Sequence, residues 1–575
     1  MVYTGKPSRG CGMCKSRRIK CDEKRPTCGN CKKSARKCPG YPDEFDLVFR
    51  DENKAMARKA RKTSGSAPSR SCTGGSSSHA SPYLSPNAIF DLQSEASSLQ
   101  LASTSRPRTL SGHSSDGELI HFTQEMQKPL PLDQIFDFQS FAWNIEVPAT
   151  ITMPPEYEAV PFFFKNFITL PQQAESTRGF LEYLVPLYNR ARSSSVLHLA
   201  TTAVAMATCG QYPGRQELLR NAVSTYGKAL KKLNDDLQDP VMSKSDETVL
   251  AILMFSLYET IMSTDDTITA WGQHVDGAVT LTKLRGTDQF NDEMSHAIFR
   301  AVRTMMITSC VQRSKPVDDF PGVKGWIGNG EFNEENVANR LTLICIDLPS
   351  LRARANNLTK TPHDPNNELE AKQILEVAQM VDDNLAEWYV TLPSEWKHST
   401  IGVVSEMPAL EDLAITEKWP GEQHIYNDVP LASIVNDYRV CRIFCRRVMM
   451  ACINWLSIGG ITENEREYNQ SVYVIQQMVD DVSACVPFHL DYELQVVAKS
   501  MGQEQNAAEA FGGYSLVWPL YVAANAESVP QAQRDWLFGR LSVIGTKFGL
   551  SSAQVLVLAR RHVLTCGPIG SSRVP

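Results

Sequence analysis

Six cysteines near the start of the chain, Cys11, Cys14, Cys21, Cys28, Cys31 and Cys38, have the type and spacing to do chemistry. They read Cys-x2-Cys-x6-Cys and then the same again, so a shift of 17 lays 11 on 28, 14 on 31 and 21 on 38. No histidine precedes His79, which excludes imidazole ligation in this segment. The other nine cysteines are scattered from Cys72 to Cys566 and are expected to be buried thiols. No apolar leader opens the chain, so secretion is not expected and the cluster reads as metal ligands rather than a disulfide framework.

A tetrahedral zinc takes four ligands, so each three-cysteine half falls one short. Two zincs need eight ligand positions, and six thiolates fill them only if two bridge both metals. The repeat makes the bridges equivalent members of each half. Cys11 and Cys28, which open their halves, are the natural pair. Six thiolates and two Zn²⁺ leave a charge of −2, which Lys15, Arg17, Arg18, Lys20, Lys32, Lys33 and Lys37 can offset. The plainer alternative is one zinc held by four cysteines, with two left spare.

The rest of the chain must carry this head without building it. Residues 1–62 hold 18 Lys/Arg against 7 Asp/Glu, while the net charge of the whole chain is −6. A basic head on an acidic body points to a polyanion partner for the head alone. Residues 63–116 contain 17 serines and should form a disordered linker, because they cannot bury enough apolar surface to offset ordering entropy. Residues 117–175, with Pro129, Pro131, Pro148, Pro154, Pro155 and Pro161, are expected to be irregular.

Residues 176–565 read as an all-α domain of a dozen or so helices, with no series of strands. Leu219, Val223, Tyr226, Leu230, Leu233 and Leu237 draw one apolar stripe between Pro213-Gly214 and Pro240. Val249 to Ile261 is apolar nearly all round, as a central helix requires. Ile374, Val377, Val381, Leu385 and Trp388 form a further stripe that stops at Pro393. Thr462 with Glu465, and Ser551 with Gln554, look like capping boxes. The longest apolar stretch, Val249 to Tyr258, is about half of a bilayer span, so no membrane anchor is expected.

The segment CGMCKSRRIKCDEKRPTCGNCKKSARKC resembles the fungal Zn2Cys6 binuclear cluster at every cysteine, in its basic block, at Asp22-Glu23 and at Pro26. The resemblance implies a small two-helix module around two Zn²⁺ ions, whose first helix enters the DNA major groove, typically over a CGG triplet. The reading block would be Lys15, Ser16, Arg17, Arg18, Ile19 and Lys20, with Arg18 where relatives commonly place a guanine-contacting Lys. Arg can span G O6 and N7 with two hydrogen bonds, which preserves that chemistry. Lys32, Lys33, Arg36 and Lys37 would hold phosphates. Downstream, Arg58, Lys59, Arg61 and Lys62 fit a nuclear-import signal, further phosphate contacts or a solvated run.

WGQHVDGAVTLTKLRG, LPSEW and NDYRVCRIFCRRVMM are similar to the helical regulatory region that follows this cluster in many fungal factors. The implied protein is a nuclear activator of a dedicated gene set, such as a biosynthetic gene cluster, that binds double-stranded DNA and transcriptional co-regulators. Residues 41–62 lack the leucine heptads with which many relatives dimerise. The head would then bind as a monomer, or as a homodimer made through the body.

No second chemistry competes. The body has no phosphate-cradling glycine motif, no nucleophile elbow and no His-Glu-x-x-His, so an enzyme is not expected. His274 reads as a hydrogen-bonded structural histidine, and Cys441 and Cys445 as buried thiols. A non-DNA adaptor that uses the cluster for protein contacts is the remaining alternative.

Overall fold

The computed structural model describes residues 11, 13–14, 17, 19–22, 27–34, 36 and 38, then 154, 156–264, 270–320, 325–327, 335–458, 460, 464–490, 494, 509–527 and 529–559. The linker reading at 63–116, and Thr462 of the first capping box, lie outside these residues.

In the head one short helix is defined, α1 (Gly29–Lys33). The body runs through α2 (Glu156–Phe167), α3 (Leu184–Arg190), α4 (Val196–Gly210), α5 (Gln216–Gln238) and α6 (Asp246–Ile261). It continues with α7 (Ala270–Arg285), α8 (Glu293–Arg313), α9 (Val337–Ile344), α10 (Leu348–Leu358) and α11 (Pro365–Val390). The strands β1 (Ser399–Val404) and β2 (Gly421–Ile425) follow, then α12 (Val429–Ile458), α13 (Glu465–Leu490), α14 (Glu509–Ala524), α15 (Gln531–Lys547) and α16 (Ser551–Ala559).

The body is helical, as its periodicity predicts, and three details differ from the sequence reading. First, the segment expected to be irregular contains α2, with Pro161 inside it. Burial of Ala159, Phe163 and Phe167 against α4 compensates for the hydrogen bond that Pro161 cannot donate. Second, β1 and β2 form an antiparallel pair with an irregularity between Thr400 and Gly402. The strands are short and β1 is mostly exposed, so no alternating pattern announced them.

Third, the stripe on α5 is displaced. Of the six residues read as its core face, only Tyr226 and Leu233 are buried, and the face is completed by Leu218, Ala222, Ala229 and Asp236. Alanines at the centre let α5 lie close against the Ala-rich α4, whose residues from Ala200 to Gly210 are all buried. The larger leucines flank this contact instead of filling it.

The centre is α6, buried from Thr248 to Tyr258, together with α12, which packs on α10, α11, α13 and α14. A buried charge cluster crosses that second contact. Asp382 of α11 has no solvent exposure and accepts hydrogen bonds from Arg442 (2.9 and 2.7 Å) and Arg446 (2.9 and 2.6 Å) of α12. Arg446 also donates to Glu467 of α13 at 2.5 Å, so one guanidinium joins three helices. No helix among the described residues is long and apolar enough to cross a membrane.

Candidate metal centre and nucleic-acid interface

The cysteine repeat is also a repeat of backbone hydrogen bonds. Arg17 N–H donates to Met13 O (3.3 Å) and Ile19 N–H to Cys14 O (3.1 Å). Seventeen residues on, Ser34 N–H donates to Asn30 O (3.2 Å) and Arg36 N–H to Cys31 O (3.0 Å). Each half therefore makes the same tight turn just after its Cys-x2-Cys pair. Burial follows the same period: Cys11, Cys14, Cys28 and Cys31 are at most 1% exposed, while Cys21 and Cys38 are half-buried.

Two contacts fasten the halves together. Gly29 N–H donates to both carboxylate oxygens of Asp22, and Asn30 Nδ2 donates to Lys20 O at 2.8 Å. Cys28 caps α1, its sulfur accepting from Cys31 N–H at 3.3 Å.

All six sulfurs converge in two overlapping groups. Cys11, Cys14, Cys21 and Cys28 form one, and Cys11, Cys28, Cys31 and Cys38 the other, each with its ligand atoms within 4.8 Å of one another. Cys11 and Cys28 are the members common to both. The sulfurs of Cys11 and Cys28 lie 3.7 Å apart, those of Cys14 and Cys28 3.7 Å, and those of Cys11 and Cys31 3.8 Å. Tetrahedral zinc with Zn–S bonds of about 2.3 Å requires ligand sulfurs about 3.8 Å apart, so the donor set fits the ion.

The thiols themselves indicate what is needed to hold them there. Burial, and then hydrogen bonding to Cys11 and Cys28, raises Cys14 well above the ordinary thiol range. Hydrogen bonding to Cys28, and then burial, pushes Cys31 up to about 12. Thiolates crowded this closely require a cation among them, and a coordinating metal deprotonates such thiols outright.

The basic residues occupy the outside of this knot. Arg17, Lys20, Lys32, Lys33 and Arg36 are all exposed, and no carboxylate among the described residues pairs with them. Ile19, 41% exposed, lies on the same turn. Lys15, Arg18 and Lys37, together with Arg58, Lys59, Arg61 and Lys62, lie outside the described residues. A compact scaffold with unpaired cations on its surface can hold a polyanion without first breaking ion pairs of its own.

In the body, His274 is hydrogen-bonded to Tyr226 Oη at 3.2 Å, and the same hydroxyl donates to Glu259 at 2.7 Å. Cys445 is fully buried and Cys441 half-buried beside Cys345, whose hydrogen bond, with burial, holds the Cys441 thiol well above its usual range. Sequence reasoning missed the group His398, Glu422 and His424, which comes together only because β2 folds back beside the residue preceding β1. Its two imidazoles stack face to face at 3.6 Å, a geometry in which one ion cannot lie in both ring planes.

Two family models match the chain. Residues 9–46 match the fungal Zn(2)-Cys(6) binuclear cluster domain, and residues 161–313 the fungal specific transcription factor domain. Transcription factor dbaG of Emericella nidulans is 24% identical over 416 residues, covering 71% of this chain and 93% of that protein. White-opaque regulator 2 of Candida albicans is 51% identical over 45 residues, 8% of this chain and 10% of that protein. The aspercryptin biosynthesis cluster-specific transcription regulator atnN of Emericella nidulans is 51% identical over 37 residues, 6% of each chain. No solved structure matches.

Proposed function

We infer the working of this chain from the premise that it belongs to the fungal Zn(2)-Cys(6) binuclear cluster family of transcription regulators. Members bind two zinc ions in the cluster domain and act on DNA. In this chain Cys11 and Cys28 would be shared by the two ions, with Cys14 and Cys21 completing one site and Cys31 and Cys38 the other. The observation that carries this assignment is the pair of four-sulfur groups that share those two residues. The ions supply the cohesion that so small a head cannot draw from an apolar core, about 10–16 kcal/mol for a structural zinc.

On this scaffold Arg18 reads guanine in a CGG-like triplet through O6 and N7. Lys15, Arg17 and Lys20 from the first half, and Lys32, Lys33, Arg36 and Lys37 from the second, hold phosphates and set the register. Arg58, Lys59, Arg61 and Lys62 direct the chain to the nucleus. The domains are the head at 1–62, a linker at 63–116, an adjoining segment at 117–175, and an effector body at 176–565 that engages co-regulators.

The regulated genes form a dedicated set, activated together, for which a biosynthetic gene cluster is the leading candidate. That reading is supported by analogy with the relative whose name ties it to one biosynthetic cluster. Selection from random duplex DNA with the full chain tests the core of the proposal. Enrichment of CGG-like triplets, lost on chelation and restored by zinc, is expected. Enrichment of no sequence would leave the adaptor reading in its place.

A further inference from the structure

The helical body contains a cleft for which DNA binding has no use. Its cavity volume is about 250 Å³, and α6, α8, α12, α14 and α16 all contribute to its wall. Ligand pockets commonly span roughly 300–1,000 Å³, so this one suits a small ligand of about two fused rings. One side is aromatic: Phe511, Tyr514 and Trp518 succeed one another along α14, with Trp271 and Phe180 nearby. Trp271, Phe511, Tyr514 and Trp518 border this space and remain only half-buried.

Two threonines in the wall present acceptors to the cleft. Thr260 and Thr308 donate their hydroxyl protons to carbonyls of their own helices at 3.0 and 3.1 Å, which leaves oxygen lone pairs for the cleft, whereas Thr304 and Ser515 also meet Thr342 Oγ1 at 3.3 Å and His489 Nδ1 at 3.2 Å. Pro519 has no N–H, so the Ser515 carbonyl lacks its usual helical donor. Ser552 also lines the cleft, is 5% exposed, and its Oγ has no hydrogen-bond partner among the described residues. A buried hydroxyl left unmatched is costly unless something else satisfies it.

Charge is nearly balanced. Arg178 is ion-paired with Asp437 on one wall. Glu182, beside them, accepts from the backbone N–H groups of Arg178 and Gly179. Among the described residues, the wall therefore offers neither a free cation for an anionic ligand nor a cluster of carboxylates for a cationic one.

We propose that this cleft binds a neutral, planar aromatic molecule carrying hydroxyl groups. Its rings stack on Trp518, Tyr514 and Trp271, and its hydroxyls donate to Thr260, Thr308 and Ser552. Binding itself is independent of the DNA-binding assignment; any consequence for transcription rests on that assignment.

The test uses the zinc-loaded full chain and 2,6-dihydroxynaphthalene as probe, followed by tryptophan fluorescence and calorimetry. Saturable binding at one site is expected, with naphthalene and 2,6-naphthalenedicarboxylate both weaker. Thr260→Val with Thr308→Val, and separately Ser552→Ala, should weaken the diol by about three- to tenfold per lost hydrogen bond while leaving naphthalene unchanged. Ser552→Ala removes a hydroxyl that no described residue bonds, so it gives a reading even if the threonine pair unfolds the protein. The proposal is overturned if the diol fails to saturate the folded chain by about 1 mM. It is equally overturned if naphthalene or the dianion binds as well as the diol. Binding that appears only after truncation at residue 559 would identify the chain's own terminus as the occupant, and overturns it too. Gel-shift affinity for DNA, measured alongside, reports separately on the head.

Discussion

Asp22 and Gly29 are joined through a single N–H: the glycine's amide points between the carboxylate oxygens, 2.9 Å from one and 3.0 Å from the other. A Cβ at position 29 would stand 2.5 Å from Asp22 Oδ2, so the contact requires glycine. Asp22→Ala and Gly29→Ala should each weaken zinc retention in a chelator titration by about 1 kcal/mol, the usual worth of a carboxylate at a helix start. Because both act on one contact, the double variant should be no worse than the more damaging single one. Full additivity would mean the contact does not couple the two halves.

The shared sulfurs predict two classes of cysteine variant. Cys11→Ser or Cys28→Ser removes a ligand from both ions and should reduce bound zinc well below one per chain. Cys21→Ser or Cys38→Ser touches one site only and should leave about one zinc, since a four-coordinate structural site tolerates no missing thiolate while its neighbour keeps all four. Elemental analysis of the purified chains separates the classes. Equal losses from all four variants would refute the sharing.

Base reading and phosphate holding differ in their salt response. Arg18→Ala should cost about 1–3 kcal/mol and blur preference at the guanines. Lys32→Ala should weaken every sequence alike and reduce the salt slope by about 1. Affinities on matched and mismatched duplexes across a salt series decide it, and indistinguishable profiles would overturn the division of roles.

Asp382, itself fully buried, offsets two guanidinium groups. Asp382→Ala should destabilise the body by about 3–5 kcal/mol, because Arg442 and Arg446 lose their common acceptor. Adding Arg446→Met should recover part of that loss by removing one of the stranded charges. Urea midpoints for the three proteins test this.

Glu182 gives the body a pH dependence of known sign. Burial, opposed by the N–H groups it accepts from, pushes its carboxyl up to about 7. The folded chain thus holds this proton where the unfolded chain releases it, so stability falls as pH rises from the ordinary carboxylate range through 7. Glu182→Gln should be nearly neutral at pH 5 and stabilising at pH 8, on the order of 1–3 kcal/mol. An equal effect at both pH values, read from thermal unfolding, would refute the shift.

What the sequence made legible was local. Cysteine spacing specifies a metal knot because ligand number and intervals constrain each other within 28 residues, from Cys11 to Cys38. On α11, four of the five apolar positions read as a stripe are buried, and Val377 alone is partly exposed. The α5 face was harder: periodicity finds large residues, whereas the contact with α4 is built on Ala222 and Ala229. Asp382 and Arg446 lie 64 positions apart, and nothing in a one-dimensional pattern says that two charges will be buried together. The cleft is of the same kind, drawing its wall from segments as distant as Thr169 and Leu556.

Among the described residues of the head, the buried cluster consists of Cys11, Cys14, Cys28 and Cys31, with Met13, Cys21 and Cys38 against it. Folding this module therefore removes little hydrocarbon from water, and its heat-capacity change is correspondingly small. The body, with its continuous apolar interior, has the strongly curved temperature dependence of an ordinary globular domain and weakens on deep cooling as well as on heating. The head has little of that curvature. Its stability follows the free zinc concentration instead, so one polypeptide carries two parts that respond to different variables, one to temperature and the other to metal supply.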